Sequence, residues 1–229
     1  MHIALDVDST LLKVRSEHDN AMLGLMAELT GIGTDHLAGI LAGLDIHQYG
    51  YSHADHLKIA LQQANIHVAD IDGLTQELDE GLRDILAADA GNILYPDTVP
   101  FLQRARDLGH TISLVTFGRY DYQIAKIEAT GLHHLVDAIR VVEQKGAKPI
   151  ALDEIFQELQ IPGEEPAIYV DDKEYELSTM RARFDGGVGL YLIDRKQTAQ
   201  GSPGGPESHQ AREQEYFHRV ITLDEISIE

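Results

Sequence analysis

Apolar and polar positions follow two rhythms along this chain. Ile3, Ala4 and Leu5 open it as an uninterrupted apolar run starting at His2, the pattern of a parallel strand covered on both faces. Between residues 16 and 92 apolar positions recur every three or four residues instead, as on helices. Met22, Met26 and Leu29 lead up to Gly31, and Leu37, Ile40, Leu41 and Leu44 follow Thr34 and Asp35, the expected caps of a second helix. Ser52 with Asp55 resembles a capping box ahead of Leu57, Ala60, Leu61 and Ala64, and Leu74, Leu78, Leu82, Ile85 and Leu86 make a long final stripe. No strand signal interrupts this block.

From Asp97 onward helix and strand alternate. A helix through Val99, Leu102 and Leu108 stops at Gly109 and is followed by the strand "TISLVT". The helix "YDYQIAKIEATG" leads to "LVDAIRVV". One around Leu152, Ile155, Phe156 and Leu159 leads to "PAIYVDD", and one with Leu177, Met180 and Phe184 leads to "GLYLID". "GSPGGPESHQ" at 201–210 is a loop signal, and "RVITLDEI" a last short element. Such alternation predicts an α/β fold with a Rossmann-like parallel sheet core. Residues 1–15 and 93–229 are expected to form that discontinuous core. The all-helical block, 16–92, is expected to be an inserted cap over the sheet's carboxyl edge, where ligands bind in such sheets.

Composition adds exclusions. No apolar stretch approaches membrane-spanning length, and no removable leader is expected before a strand that begins at His2. The absence of cysteine excludes disulfides, thiolate metal sites and cysteine nucleophiles. A cytoplasmic enzyme or binding protein is the expectation. The net charge is −20, and residues 16–92 hold 13 Asp and Glu against 2 Lys and Arg. That field repels phosphate backbones and anionic surfaces, so neither nucleic acid nor membrane is an expected partner. Oligomeric state leaves no signature. His53 and His56 stand at helical spacing but lack a third metal ligand nearby, and are expected on a solvated helix face. Tyr49 and Tyr51 are expected to pack.

The candidate chemistry collects at strand ends: Asp6 and Asp8 after the first strand, Thr116 after "ISLV", and Asp171 and Asp172 after "AIYV", with Lys145 and Lys148 near the start of a helix. Strand ends of a parallel sheet face one crevice. Carboxylates converging there repel one another, and a hard divalent cation such as Mg²⁺ is the usual compensation. A carboxylate can also attack phosphorus, provided that a cation and a lysine neutralise the phosphoryl charge while a hydroxyl holds its oxygens. Singly, each aspartate is an ordinary turn former or helix cap. Their joint order at the right ends of the right elements points to a site.

These motifs resemble those of the haloacid dehalogenase (HAD) superfamily. "IALDVDST" matches its first motif through Asp6, Asp8 and Thr10, "ISLVTFG" its second through Thr116, and "IYVDDKEYE" its fourth through Asp171, Asp172 and Glu176. "YPDTVPFLQRARDLGH" is similar to the family's lead-in to the second motif. The resemblance implies Asp6 as a nucleophile that becomes phosphorylated, and Asp8 as the acid and base that protonates the leaving oxygen and later activates water. It also implies Thr116 and a lysine on the phosphoryl oxygens, and Mg²⁺ held by Asp6, Asp8 through its backbone carbonyl, and Asp172. The lysine is Lys145 or Lys148, with Lys148 preferred because "KPIAL" resembles the family's helix start. Asp171 stands where many members have glycine, Glu176 where many have aspartate, and Phe117 where asparagine is common. Members that dehalogenate usually lack an acid at the position of Asp8, which favours phosphoryl transfer. The expectation is a Mg²⁺-dependent phosphatase for a small phosphorylated metabolite. A phosphomutase, or a phosphoacceptor that does not hydrolyse, is the alternative; "DGGVG" lies on the wrong side of its strand for a dinucleotide site.

Overall fold

The five apolar runs that read as strands all join one sheet, to which the last short element adds a sixth strand. In the computed structural model, which describes residues 1–13, 16–43, 53–195 and 216–229, they are β1 (His2–Leu5), β2 (Thr111–Phe117), β3 (Ala138–Val142), β4 (Ala167–Asp171), β5 (Val188–Ile193) and β6 (His218–Val220). Leu44, Tyr49, Tyr51, Ser52 and the 201–210 stretch lie outside the described residues. The strand order is β3-β2-β1-β4-β5-β6 and every neighbouring pair is parallel, giving the expected Rossmann-like core. The chain winds outward from β1 in one direction, then returns to lay β4 on its other side. A crevice therefore opens beyond the carboxyl ends of β1 and β4, where the winding reverses.

The helices are α1 (Ser16–Thr30), α2 (Thr34–Ala42), α3 (His53–Gln63), α4 (Ile71–Ile93), α5 (Thr98–Asp107), α6 (Tyr120–Ala129), α7 (Lys148–Glu158) and α8 (Glu174–Phe184). Gly31 and Gly109 lie just past the ends of α1 and α5 with φ of 72° and 77°, the left-handed backbone that lets a chain leave a helix. On one sheet face Ala4, Val115, Tyr169 and Leu190 pack against Leu152 and Ile155 of α7 and Leu177 and Met180 of α8.

The chain divides into two compact units. One comprises Met1–Lys13, Leu94–Phe117 and His133–Glu229; the other comprises Val14–Ile93 and Gly118–Leu132. The second unit is helical and includes α6, which the alternating pattern alone groups with the sheet. Its core explains the grouping: Ala125 and Tyr122 of α6 pack with Met22, Met26, Leu57, Leu78, Leu82 and Leu86.

Two local expectations are corrected. Gly33, in extended conformation, is the N-cap of α2, so Thr34 lies inside the first turn, where Asp35 still complements the helix dipole. His53 and His56 are buried, not solvated. They share a face with Leu57, Ala60 and Leu61, since positions 53, 56, 57, 60 and 61 form one helical stripe. Burial holds both imidazoles below their usual range, His53 at about 4, and its ring meets the Tyr122 ring at 4.7 Å.

His2 is also buried, its Nε2 2.9 Å from Ser113 Oγ and its ring edge-on to Phe156. Burial lowers its pKa from 6.5 to about 4. The stability this neutral ring supports is fully present above pH 6.5 and is lost as pH falls toward 4, by about 3 kcal/mol when titration is complete. Urea midpoints of His2→Gln should accordingly fall less between pH 7 and pH 4.5 than those of the wild type.

Candidate active site

At the crevice the parallel ladder itself brings carboxylates together. Leu5 of β1 stands in register with Val170 of β4, and the Asp6 N–H donates to the Val170 carbonyl at 2.9 Å. Asp6 and Asp171, each one residue further along adjacent strands, are therefore neighbours. Between them sits Lys148, the first residue of α7, whose Nζ donates to Asp6 Oδ1 and to Asp171 Oδ2, both at 2.7 Å. All three side chains are buried. Asp171 Oδ2 also accepts the Tyr169 hydroxyl at 2.5 Å, and its Oδ1 accepts the Lys173 N–H at 2.8 Å. Asp172 Oδ2 accepts the Lys173 ammonium at 2.5 Å.

The charge balance of this cluster is negative. One carboxylate oxygen from each of Asp6, Asp171 and Asp172 can be chosen so that all lie within 4.8 Å of one another. Against them stand Lys148 and the exposed Lys173. Burial pushes the Asp6 carboxyl above the usual carboxylate range with Lys148 pulling the other way, and burial raises Asp172 against the pull of Lys173. Although burial works against a charged Lys148, Asp6 and Asp171 hold its ammonium above the usual lysine range. Converging oxygens with too little positive charge fit a hard divalent cation, which prefers such ligands.

The remaining candidates fall around this centre. Thr116 is buried near the end of β2, and its hydroxyl makes no hydrogen bond among the described residues. Glu176 of α8 is buried with its Oε2 likewise unsatisfied; burial raises its carboxyl, Asp171 adding and Lys148 opposing. Lys145 is turned elsewhere, its ammonium 4.8 Å from the centre of the Tyr175 ring. Of the two lysines, the structure brings Lys148 alone onto the carboxylates of Asp6 and Asp171.

Asp8 is half-buried in a tight turn that closes immediately after β1. The Val7 carbonyl accepts the N–H groups of Thr10, Leu11 and Leu12, Ser9 has φ of 61°, and the Ser9 N–H donates to the Leu12 carbonyl at 2.7 Å. Thr10 contributes its backbone: its carbonyl accepts two hydrogen bonds from Arg195, at 3.1 and 2.8 Å.

Pattern reading missed Tyr169, Lys173 and Arg195. Tyr169 carried a usable signal, because a residue two before Asp171 on a strand shares its face. Lys173 next to an acidic pair reads as a surface charge, and nothing local marks Arg195.

A family model described as haloacid dehalogenase-like hydrolase matches residues 1–182, and the chain belongs to that family. No curated protein matches the sequence. Among solved structures, a HAD phosphatase from Thermococcus onnurineus is 20% identical with a TM-score of 0.61, over 98% of this chain and 94% of that one. The HAD-hydrolase YfnB from Bacillus subtilis, bound to magnesium, is 16% identical with a TM-score of 0.58, over 98% and 95%. A dehalogenase with an intermediate complex is 18% identical with a TM-score of 0.53, over 98% and 94%. At these identities the likeness is one of fold. The family makes the chain a HAD-like hydrolase; the fold is common to phosphatase and dehalogenase alike. Among the described residues no helix is long and apolar enough to cross a membrane.

Proposed function

We propose that this hydrolase is a Mg²⁺-dependent phosphatase that acts on a small phosphate monoester through an aspartyl-phosphate on Asp6. The observation that carries it is the Asp6, Asp171, Asp172 cluster around the Lys148 ammonium: the oxygens call for a cation, and that cation together with Lys148 would neutralise a dianionic ester. Asp8, an acid two residues from the nucleophile, favours phosphoryl transfer over dehalogenation. The magnesium bound to YfnB is consistent with the same metal here.

In this reading Asp6 and Asp172, with the Asp8 carbonyl, would hold Mg²⁺, whose charge would screen the phosphoryl oxygens from the carboxylates. Lys148 binds one phosphoryl oxygen and the Thr116 hydroxyl donates to another. An Asp6 carboxylate oxygen attacks phosphorus; the bond from phosphorus to the ester oxygen breaks, and Asp8 gives that oxygen its proton. Asp8, now a carboxylate, takes a proton from water, whose oxygen attacks phosphorus. The bond to Asp6 breaks, inorganic phosphate leaves, and both carboxyl groups return to their starting states. Asp171 positions Lys148, with Tyr169 and the Lys173 N–H fixing it in turn. The helical segment 16–92, inserted between the first and second motifs, serves as the cap that selects substrate, and its acidity disfavours polyanions.

The test is release of inorganic phosphate from aryl phosphates and from a panel of phosphorylated metabolites, with Mg²⁺ and with EDTA. Chelation should remove turnover and readdition restore it. Asp8→Asn should lower turnover of poor-leaving-group esters by about 10²- to 10⁴-fold. Metal-independent hydrolysis would overturn the metal assignment, and formation of an isomeric phosphate ester in place of inorganic phosphate would make the enzyme a phosphomutase.

A further inference from the structure

Arg195, just after β5, is the only buried arginine among the described residues, and its hydrogen bonds run to the turn that carries Asp8. Its Nε and Nη2 both donate to the Thr10 carbonyl. Its Nη1 donates to Asp97 Oδ2 at 2.7 Å, and the same oxygen accepts the Leu223 N–H at 2.7 Å. The guanidinium lies over the Tyr95 ring, 4.2 Å from its centre. The next carbonyl of the turn, Leu11, is also held from outside, by the Thr98 hydroxyl and the Tyr95 N–H, both at 3.0 Å. Two successive peptide groups are thus fixed at one end of a turn that contains Ser9 in left-handed conformation. A backbone held in a sparsely populated region persists when its surroundings over-determine it.

Stability alone does not account for this arrangement. A buried Arg–Asp pair is often no more stabilising than apolar residues of the same volume, because both charges lose their hydration. What the pair supplies is a planar fork that grips one carbonyl with two donors and is itself held in place.

We propose that Arg195 is a positioning residue for Asp8: by clamping the Thr10 carbonyl it sets the turn from which Asp8 reaches the leaving-group oxygen. This rests on the phosphatase reading. Asp97 anchors Arg195, and Thr98 supports the same turn through Leu11. Displacing the turn leaves Asp6, Lys148 and the β1–β4 pairing in place and moves the Asp8 side chain.

The variant is Arg195→Lys, which keeps a cation for Asp97 and loses the fork. The measurement is kcat/KM for phenyl phosphate, whose leaving oxygen needs a proton, against 2,4-dinitrophenyl phosphate, whose leaving oxygen does not. Both esters are assayed at saturating Mg²⁺, so that a weaker hold through the Asp8 carbonyl is made up and a selective loss reports proton delivery. The expected result is a loss of about 10²-fold on phenyl phosphate and less than about 3-fold on the dinitrophenyl ester. A fall in folded fraction would lower both equally. Equal proportional losses, or none, in a variant with wild-type circular dichroism overturn the inference. If Arg195→Lys does not fold, Thr98→Val carries the same comparison, with a smaller selective loss expected and equal losses decisive against it. If the wild type turns over neither ester, the phosphatase reading falls and this inference with it; wild-type turnover with unselective losses removes this inference alone.

Discussion

Asp6→Asn should abolish phosphate release, by about 10⁴-fold or more, while the protein stays folded and melts at or above the wild-type temperature. The amide fills the same space but is a poor nucleophile. The stability expectation follows from the cluster's charge. Asp6 is a buried carboxylate beside Asp171, and Lys148 keeps its 2.7 Å bond to Asp171 when Asp6 is neutralised. One buried negative charge is removed and the ammonium is not orphaned. The comparison needs freshly prepared protein and intact mass, since deamidation of the new asparagine would restore the aspartate. Wild-type-like turnover by protein shown to carry asparagine would overturn the nucleophile assignment.

Lys148→Met should be costly in both respects. It removes the one buried cation between two buried carboxylates, a change of about 3–5 kcal/mol, or about 10 °C in a chain of this size. It also removes the group that binds a phosphoryl oxygen, lowering kcat/KM by about 10²- to 10³-fold in protein that remains folded. Lys145→Ala, at an exposed side chain over Tyr175, should change stability by less than about 0.5 kcal/mol and leave turnover near the wild type. Differential scanning fluorimetry beside initial rates reads both effects. A larger activity loss from Lys145→Ala would move the phosphate contact to that residue.

What could be read from the sequence followed from periodicity. Apolar runs of strand length between helical stripes have one economical solution, a parallel sheet with helices on its faces, and all five such runs are in it; that the last short element is a sixth strand was not legible. Motif residues at strand ends were legible for the same reason, since topology brings those ends to one edge however far apart they lie in sequence. The details that were not legible depend on register and tertiary packing. That Asp171 lies beside Asp6 follows from the pairing of Leu5 with Val170, which no local pattern prints. Lys145 and Lys148 stand three residues apart; the likeness of "KPIAL" to a helix start favours Lys148, while the contacts of its ammonium with Asp6 and Asp171 depend on packing that no local pattern prints. Arg195 acts on a carbonyl 185 residues away, and a carbonyl has no residue signature. His53 and His56 lie on the apolar stripe of α3, and that position overrides the polar identity that suggests a solvated face.

The position of β1 has a consequence for how the protein is made. The strand that leads into Asp6 is synthesised before both of its neighbours, pairing on one side with Thr111–Leu114 and on the other with Ala167–Val170. On the ribosome it waits for β4 until the whole stretch between them has emerged, and such distant pairings form slowly. Until β4 arrives, one apolar strand edge and its aspartate stay open to water and to other nascent chains. Shortening the delay by circular permutation, with new termini between α7 and β4, would bring β4 out before β1 and should change refolding rate far more than catalysis.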